Sequence, residues 1–265
     1  MRCHLSDCIK LEEYIERLTE YRSVNDVWQF HCAQMAQYGF DRLFYGFTRY
    51  RTATSLGNPA DMLILSNHAP AYIRSFIDQN LYHHAPMVRW ALENDGACSW
   101  RWLQEQAAGR MMTATERKVY EFNQRHGVAA GYSVSFPEQS RRAKGAIALT
   151  AARSLSQDDA DAIWDQHGGR ITAMNNVLHL KLIHMPYSRR SLTDRQREVL
   201  EWTGDGKTVQ DIAQIMGLQP ATVEKHLRLA RDTLNVETTA QAVLKASVQN
   251  QMYLIETPAR AASSA

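Results

Sequence analysis

The sequence predicts an α+β protein in two parts: an N-terminal α/β/α sandwich on an antiparallel sheet, then an all-α unit of four helices. Three observations carry this reading. Short apolar runs at 43–50, which is rich in aromatics, and at 62–66, 131–136 and 145–151 alternate with segments of helical periodicity. Beyond a stretch at 185–190 that holds a proline and two arginines, every apolar stripe has helical spacing. The length, 265 residues, suits two ordinary domains better than one.

Along the first part, Ile9, Leu11, Tyr14, Ile15 and Leu18 form one helical stripe, and Val24, Val27, Trp28, Phe30, Cys32 and Met35 form a second. The run LFYGFTRY at 43–50 and the run at 62–66 read as strands. Pro70 and Pro86 each stand at the first turn of a helix, where a missing N–H costs nothing. A further helix spans 113–126 and stops at Gly127, and strands at 131–136 and 145–151 flank the basic segment 138–144. Ser156 caps a long last helix to about residue 182, which Gly168 and Gly169 are expected to weaken or break. The sequence therefore divides into a sandwich at 1–184, a linker at 185–190, a helical domain at 191–256 and a disordered tail at 257–265.

Composition bounds the function classes. With 45% hydrophobic and 22% charged residues the chain is ordinary for a globular protein. It has no unbroken apolar run long enough for a membrane span and no signal-like leader, so a cytoplasmic protein without membrane contact is expected. Cys3, Cys8, Cys32 and Cys98 form no CxxC pair and no zinc-like Cys/His spacing, so neither a metal site nor a cofactor is expected. There is no phosphate-cradling glycine loop, nucleophile elbow or HExxH, and Asp158, Asp159 and Asp161 read as a helix N-terminal turn; an enzyme is not expected. The net charge of +2 means that any nucleic-acid binding must come from a local face.

The helical part provides one. Thr193 with Gln196, then Thr208 with Asp211, have the spacing of two capping boxes. The first helix turns Val199, Leu200 and Trp202 inward and stops at residues 204–206. The second turns Val209, Ile212, Ala213, Ile215 and Met216 inward and stops at Gly217. Pro220 opens a third helix with Val223, Leu227, Ala230 and Leu234 on its inner stripe. Ala213 is small at a helix crossing, Gly217 suits a tight turn, and Val223 locks one helix on the other, which is helix-turn-helix spacing. The outer face of the third helix carries Glu224, Lys225, Arg228, Arg231 and Asp232, among them the long donors that reading base edges in a major groove requires. Residues 186–250 hold nine Lys/Arg and eight Asp/Glu, a near-neutral module that needs a dimer for tight binding. A fourth helix at 239–249 serves as core or dimer surface.

The whole segment from LTDRQREVLEW to AQAVLKA resembles, without gaps, the LuxR-type helix-turn-helix. That resemblance implies base reading by Lys225 and Arg228, with Glu224 beside them, and phosphate contacts from Lys207, Thr222 and Arg231. It also implies a homodimer on a near-palindromic site in double-stranded DNA. The family's phospho-receiver relatives need an early strand ending in acidic residues, which the first forty residues lack.

The first part instead resembles the autoinducer-binding domain of quorum-sensing regulators, through YGFDRLFYGF, residues 72–100 and RHGVAAGYSVSFP, with Gly127 and Gly131 at the family's glycine positions. Trp100 and Pro86 match family positions. The departures are chemical. The tryptophan that donates to a lactone carbonyl falls on Tyr72, the next tyrosine on Phe76, and the aspartate that accepts the ligand amide N–H on Ala85; Ala148 stands where many members have Ser or Thr. A buried amide N–H left unpaired costs roughly 1–3 kcal/mol. The resemblance thus implies an apolar pocket shaped by Phe44, Tyr72, Phe76, Ala85, Met87, Val88, Trp100, Tyr132 and Ala148; His83 and His84 lie beside this segment, as surface residues or as added polar contacts. The expected signal is a non-standard small molecule or none. The alternatives that stay open are a conventional acyl-homoserine-lactone regulator, a DNA binder controlled by a protein partner, and a set of aromatics that merely fill a core.

Overall fold

A computed structural model of the chain describes residues 9–187 and 190–254. Cys3, Cys8, the tail at 257–265 and linker positions 188 and 189 lie outside the described residues. The chain divides between Met185 and Pro186 into two compact units.

Unit one begins with α1 (Leu11–Glu20) and α2 (Val24–Gln37), the latter capped by the Ser23 hydroxyl. The sheet follows as β1 (Phe40–Thr48), β2 (Leu63–Ser66), β3 (Gly96–Ser99), β4 (Gly131–Ser135) and β5 (Lys144–Ala151). All pairings are antiparallel, in the order β2-β1-β5-β4-β3. Between β2 and β3 come α3 (Pro70–Asp78), a 3₁₀ turn at Leu81–His84 and α4 (Pro86–Glu93). Between β3 and β4 come α5 (Arg101–Ala108) and α6 (Ala114–Arg125), and α7 (Gln157–Ile183) closes the unit.

Three features depart from the sequence reading. The strand β3 reads GACS, with no β-branched residue; its extended form comes from pairing with β4, Ala97 opposite Val134, rather than from propensity. The helix α5 has no fully buried residue and hence no strong apolar stripe to read. And α7 runs unbroken for 27 residues through Gly168 and Gly169. Gly168 is buried beneath the Trp164 indole, whose Nε1 would lie 2.5 Å from a Cβ at that position, so packing demands glycine there and outweighs its weak helix propensity.

Period-two alternation sorts the sheet's side chains. Tyr45 and Phe47 on β1, Ile147 and Leu149 on β5, and Val134 on β4 are buried; from this face the Tyr45 hydroxyl meets His179 Nδ1 of α7 at 2.9 Å. The residues between them, Gly46, Ala146, Ala148 and Ser133, are small and face the other way, toward α3 and α4. At β4, Gly131 has φ +153° and a Cβ there would meet Leu149 O at 2.1 Å, so no side chain fits.

Helices α1, α2 and α7 are joined by a buried polar network. The Tyr14 hydroxyl lies 2.8 Å from His31 Nδ1, and Asn175 Oδ1 lies 3.2 Å from His31 Nε2. This suits a neutral imidazole that accepts from the phenol and donates to the amide oxygen. Burial lowers the His31 pKa to about 3.

Unit two comprises α8 (Asp194–Gly204), α9 (Val209–Met216), α10 (Pro220–Leu234) and α11 (Thr239–Val248). Reciprocal capping boxes at Thr193/Gln196, Thr208/Asp211 and Thr238/Gln241 start three of them. Val199, Leu200, Ile212, Ala213, Val223, Leu227, Ala230 and Leu234 share one core with Ala242 and Ala246. Ile215, expected inside, is 47% exposed, because α9 is only eight residues long and its buried face is the Ile212–Ala213 side.

Since the folded His31 pKa lies below its ordinary value of 6.5, the unfolded chain binds a proton that the folded chain refuses between pH 6.5 and about 3. Stability should therefore fall on acidification through that window, His31 contributing about 1.4 kcal/mol per pH unit. Urea unfolding of the wild type and of His31→Gln at pH 4–6.5 checks this: the variant should show a slope shallower by one proton, and equal slopes would remove His31 from the account.

Candidate functional site

Beneath the small-residue face of the sheet, opposite α7, lies a half-open cavity of about 130 Å³. It forms because Gly46, Ala146 and Ala148 leave space that α3, the 3₁₀ turn and α4 roof without filling. Of the residues expected to shape a pocket, Phe44, Met87, Val88 and Ala148 line it. Tyr72, Phe76, Ala85 and Trp100 sit beside it in a packed cluster with Tyr82, Val119 and Val128.

Two polar groups of that cluster, those of Tyr72 and Trp100, are already paired. Tyr72 stacks between Phe76 and Phe122, at ring distances of 5.6 and 5.4 Å, and its hydroxyl donates to Asn123 Oδ1 at 3.0 Å. Phe76 meets Phe44 edge to face at 5.5 Å. The Trp100 indole N–H donates to Ser133 Oγ at 2.9 Å. His68, beside Tyr72 at 4.9 Å, is buried and its pKa is lowered to about 4, chiefly by desolvation and then by Arg42, so it is neutral at physiological pH.

Tyr132 does not join the cavity. It lies on the opposite face, stacked on Trp164 of α7 at 4.0 Å with its hydroxyl donating to Asp161. The strand pleat decides this: on β4 it is Ser133, one residue on, that faces the cavity. His83 and His84 are exposed and do not line it either; their neighbour Tyr82 does. The alternation could have found Gly46 and Ala146, each two residues from a position the sequence reading named. Ile77, Leu92 and Lys144 depend on tertiary packing and had no local signal. The Lys144 ammonium is already held by Asp95 Oδ1 at 2.7 Å and by the carbonyls of Asn94 and Phe136, leaving its stem to the cavity wall.

The second site is α10. Gly217 ends α9 at φ +65°, a left-handed turn that glycine takes without strain, and Pro220 starts α10. Burial of Val223, Leu227, Ala230 and Leu234 leaves Glu224, Lys225 and Arg228 exposed along the opposite face. Arg228 Nη1 is 3.4 Å from Asp232 Oδ2, an exposed i, i+4 pair that is weak and exchangeable. Thr222 and Arg231 are half-buried, and the Arg231 guanidinium donates to Thr239 Oγ1 at 2.9 Å, bracing α10 on α11. Lys207 is exposed immediately before the cap of α9, a helix N-terminus that favours anions. One face of α10 thus carries two exposed cations, Lys225 and Arg228, and a further lysine stands at the N-terminal end of α9.

No helix among the described residues is long and apolar enough to cross a membrane. Residues 23–182 match the family described as the autoinducer binding domain, and residues 190–246 match that of bacterial regulatory proteins of the luxR family. The transcriptional activator protein AnoR of Acinetobacter nosocomialis is 24% identical over 241 residues, covering 89% of this chain and 95% of that protein. SolR of Ralstonia nicotianae is 27% identical over 218 residues, covering 79% and 85%. Among solved structures, Escherichia coli SdiA superposes with a TM-score of 0.51 at 17% identity, covering 92% of this chain and 98% of that one, which supports the fold. With both families matched in sequence order and the first spanning more than half of its length, the chain belongs to the LuxR family of quorum-sensing transcriptional regulators, with an autoinducer-binding domain followed by a helix-turn-helix.

Proposed function

We propose that a small neutral molecule held in the sheet cavity governs a homodimer that reads a near-palindromic site in double-stranded DNA in the cytoplasm. The carrying observation is the cavity over Gly46, Ala146 and Ala148, which is mostly apolar and lies next to an aromatic cluster in which Tyr72 and Trp100 are already paired. With Ala85 in place of an acceptor, an acyl-homoserine-lactone amide has no carboxylate partner there, so the signal is a different molecule. The self-satisfied Tyr72–Asn123 and Trp100–Ser133 pairs also support a second reading, in which this domain folds without a signal and a protein partner sets its activity. Isothermal titration of the full chain with N-hexanoyl homoserine lactone tests the first reading: weak or absent binding is expected, and submicromolar binding would overturn it.

In this proposal the sensor domain spans 1–184 and the DNA-binding domain 191–256, joined by 185–190. Lys225 and Arg228 read base edges with Glu224 beside them, while Lys207, Thr222 and Arg231 position the helix on phosphates; for Arg231 this means giving up its bond to Thr239.

Replacing Arg228 by Ala should cost about 1–3 kcal/mol on the preferred site and relax sequence preference at one base pair per half-site. Competition against a randomised DNA pool checks it, and unchanged preference would move the reading face elsewhere. Lys207→Ala should weaken binding evenly across sequences and reduce the log–log salt slope by about 1 per protomer. Titration at several salt concentrations separates that result from a loss of specificity.

A further inference from the structure

Every polar group on the cavity wall but two is already engaged. Thr48 donates its hydroxyl to Leu56 O at 2.8 Å and accepts from Tyr50 N at 3.0 Å, and the Lys144 ammonium is bound as described. Ser133 Oγ receives the Trp100 indole N–H, but its own proton has no acceptor among the described residues. Tyr82 lines the cavity at 5% exposure, and its hydroxyl has no hydrogen-bond partner among the described residues. The hydroxyl itself keeps accessible surface, so it is open to an incoming oxygen rather than sealed in the core. Its neighbour His83 meets it ring to ring at 4.3 Å and supplies no hydrogen bond.

Tyr82 is presented by the 3₁₀ turn at Leu81–His84, which Asn80 enters with left-handed backbone (φ 53°) and which Pro86 follows two residues after the turn's end. The turn sits between α3 and α4, so two helices and the proline fix the ring direction. The remaining wall is hydrocarbon: Phe44, Ile64, Ile77, Met87, Val88 and Leu92. Among the described wall residues there is no carboxylate and no unneutralised cation. Such a wall rejects charge and offers donors to an oxygen. Burial also raises the Tyr82 pKa, which keeps the phenol protonated as a donor across the physiological range.

We propose that Tyr82 is the specificity-determining donor of this pocket, selecting a neutral ligand with a short hydrocarbon body and a carbonyl or ester oxygen directed at the Tyr82 hydroxyl. This rests on the reading of the cavity as the signal site. Ser133, on the sheet side of the same cavity, serves a second oxygen or bridges through water. An amide ligand brings an N–H that finds no ionic acceptor, whereas its ester isostere brings none.

The test uses the full chain and an isosteric probe pair, N-hexanoyl homoserine lactone and the ester α-hexanoyloxy-γ-butyrolactone, with binding followed by tryptophan fluorescence. The wild type should bind the ester at least about tenfold more tightly than the amide, the ratio for one unpaired buried N–H. Tyr82→Phe, which keeps the ring and removes the hydroxyl, should weaken the ester about 3–10-fold, with an unchanged melting temperature for the unliganded protein. Ala148→Leu, which fills the cavity from β5, should weaken both probes. Ester binding unchanged in Tyr82→Phe but lost in Ala148→Leu overturns the role of Tyr82 and leaves the cavity as the signal site. Equal binding of amide and ester overturns the ligand class. Binding of either probe that survives Ala148→Leu, or no binding of either, overturns the cavity reading itself and the inference with it.

Discussion

The pleat of the five-stranded sheet is the constraint on which the rest of unit one depends. Successive side chains must point to opposite faces, and on β4 and β5 the sequence assigns bulk to one face and small residues to the other, with Gly46 continuing the small face on β1 beside Phe44. Tyr45, Phe47, Ile147, Leu149 and Tyr132 turn toward α2 and α7. Gly46, Ala146, Ala148 and Ser133 turn away, and the layer above them is held off by the ring cluster of Phe44, Phe76 and Tyr72. Close packing on one face and a cavity on the other have the same origin. A slip of one residue in register would bury the alanines and expose the aromatics, so both the fold and the cavity specify that register.

The helix-turn-helix rests on a different kind of constraint, a local one. Its caps, its left-handed Gly217 and its inner stripe are set within a few residues of one another. The geometry of α10 therefore does not depend on long-range packing beyond its own small core. Its surface charge is balanced, with Glu224 and Asp232 interleaved among Lys225, Arg228 and Arg231. Such a face holds DNA weakly by charge alone and gains from pairing two copies. Arg228 and Arg231 meet partners that release them at different cost: an exposed carboxylate for the first, a neutral hydroxyl on a half-buried bond for the second.

The same distinction explains what was legible in the sequence. Helices α9 and α10 are legible in the sequence, Ile215 apart, because the Thr208/Asp211 capping box, Gly217 and Pro220 are local signals. The sheet class and most strands are legible from short apolar runs, but β3 forms through its pairing with β4. Gly168 looked like a helix breaker because sequence carries its propensity and not Trp164 above it. The cavity was half legible: Phe44, Met87, Val88 and Ala148 were found through family likeness. Tyr132 faces α7 because the phase of its strand has no local signature, and Tyr82 carries no signal that sets it apart from the two histidines after it. Residues that fill space can be read from pattern; the residues left facing an empty space require the three-dimensional arrangement.

The central claim is that the small-residue face of the sheet makes a cavity that is occupied in the working protein and controls DNA binding. Native mass spectrometry of the full chain purified from a bacterial cytoplasm, compared with Ala146→Leu purified alike, tests it most directly. The account predicts a wild-type species heavier than the chain by one small neutral molecule, lost on denaturation and absent from the variant, with weaker operator binding by the variant. A wild type at the bare chain mass that binds its operator as tightly as Ala146→Leu would contradict it.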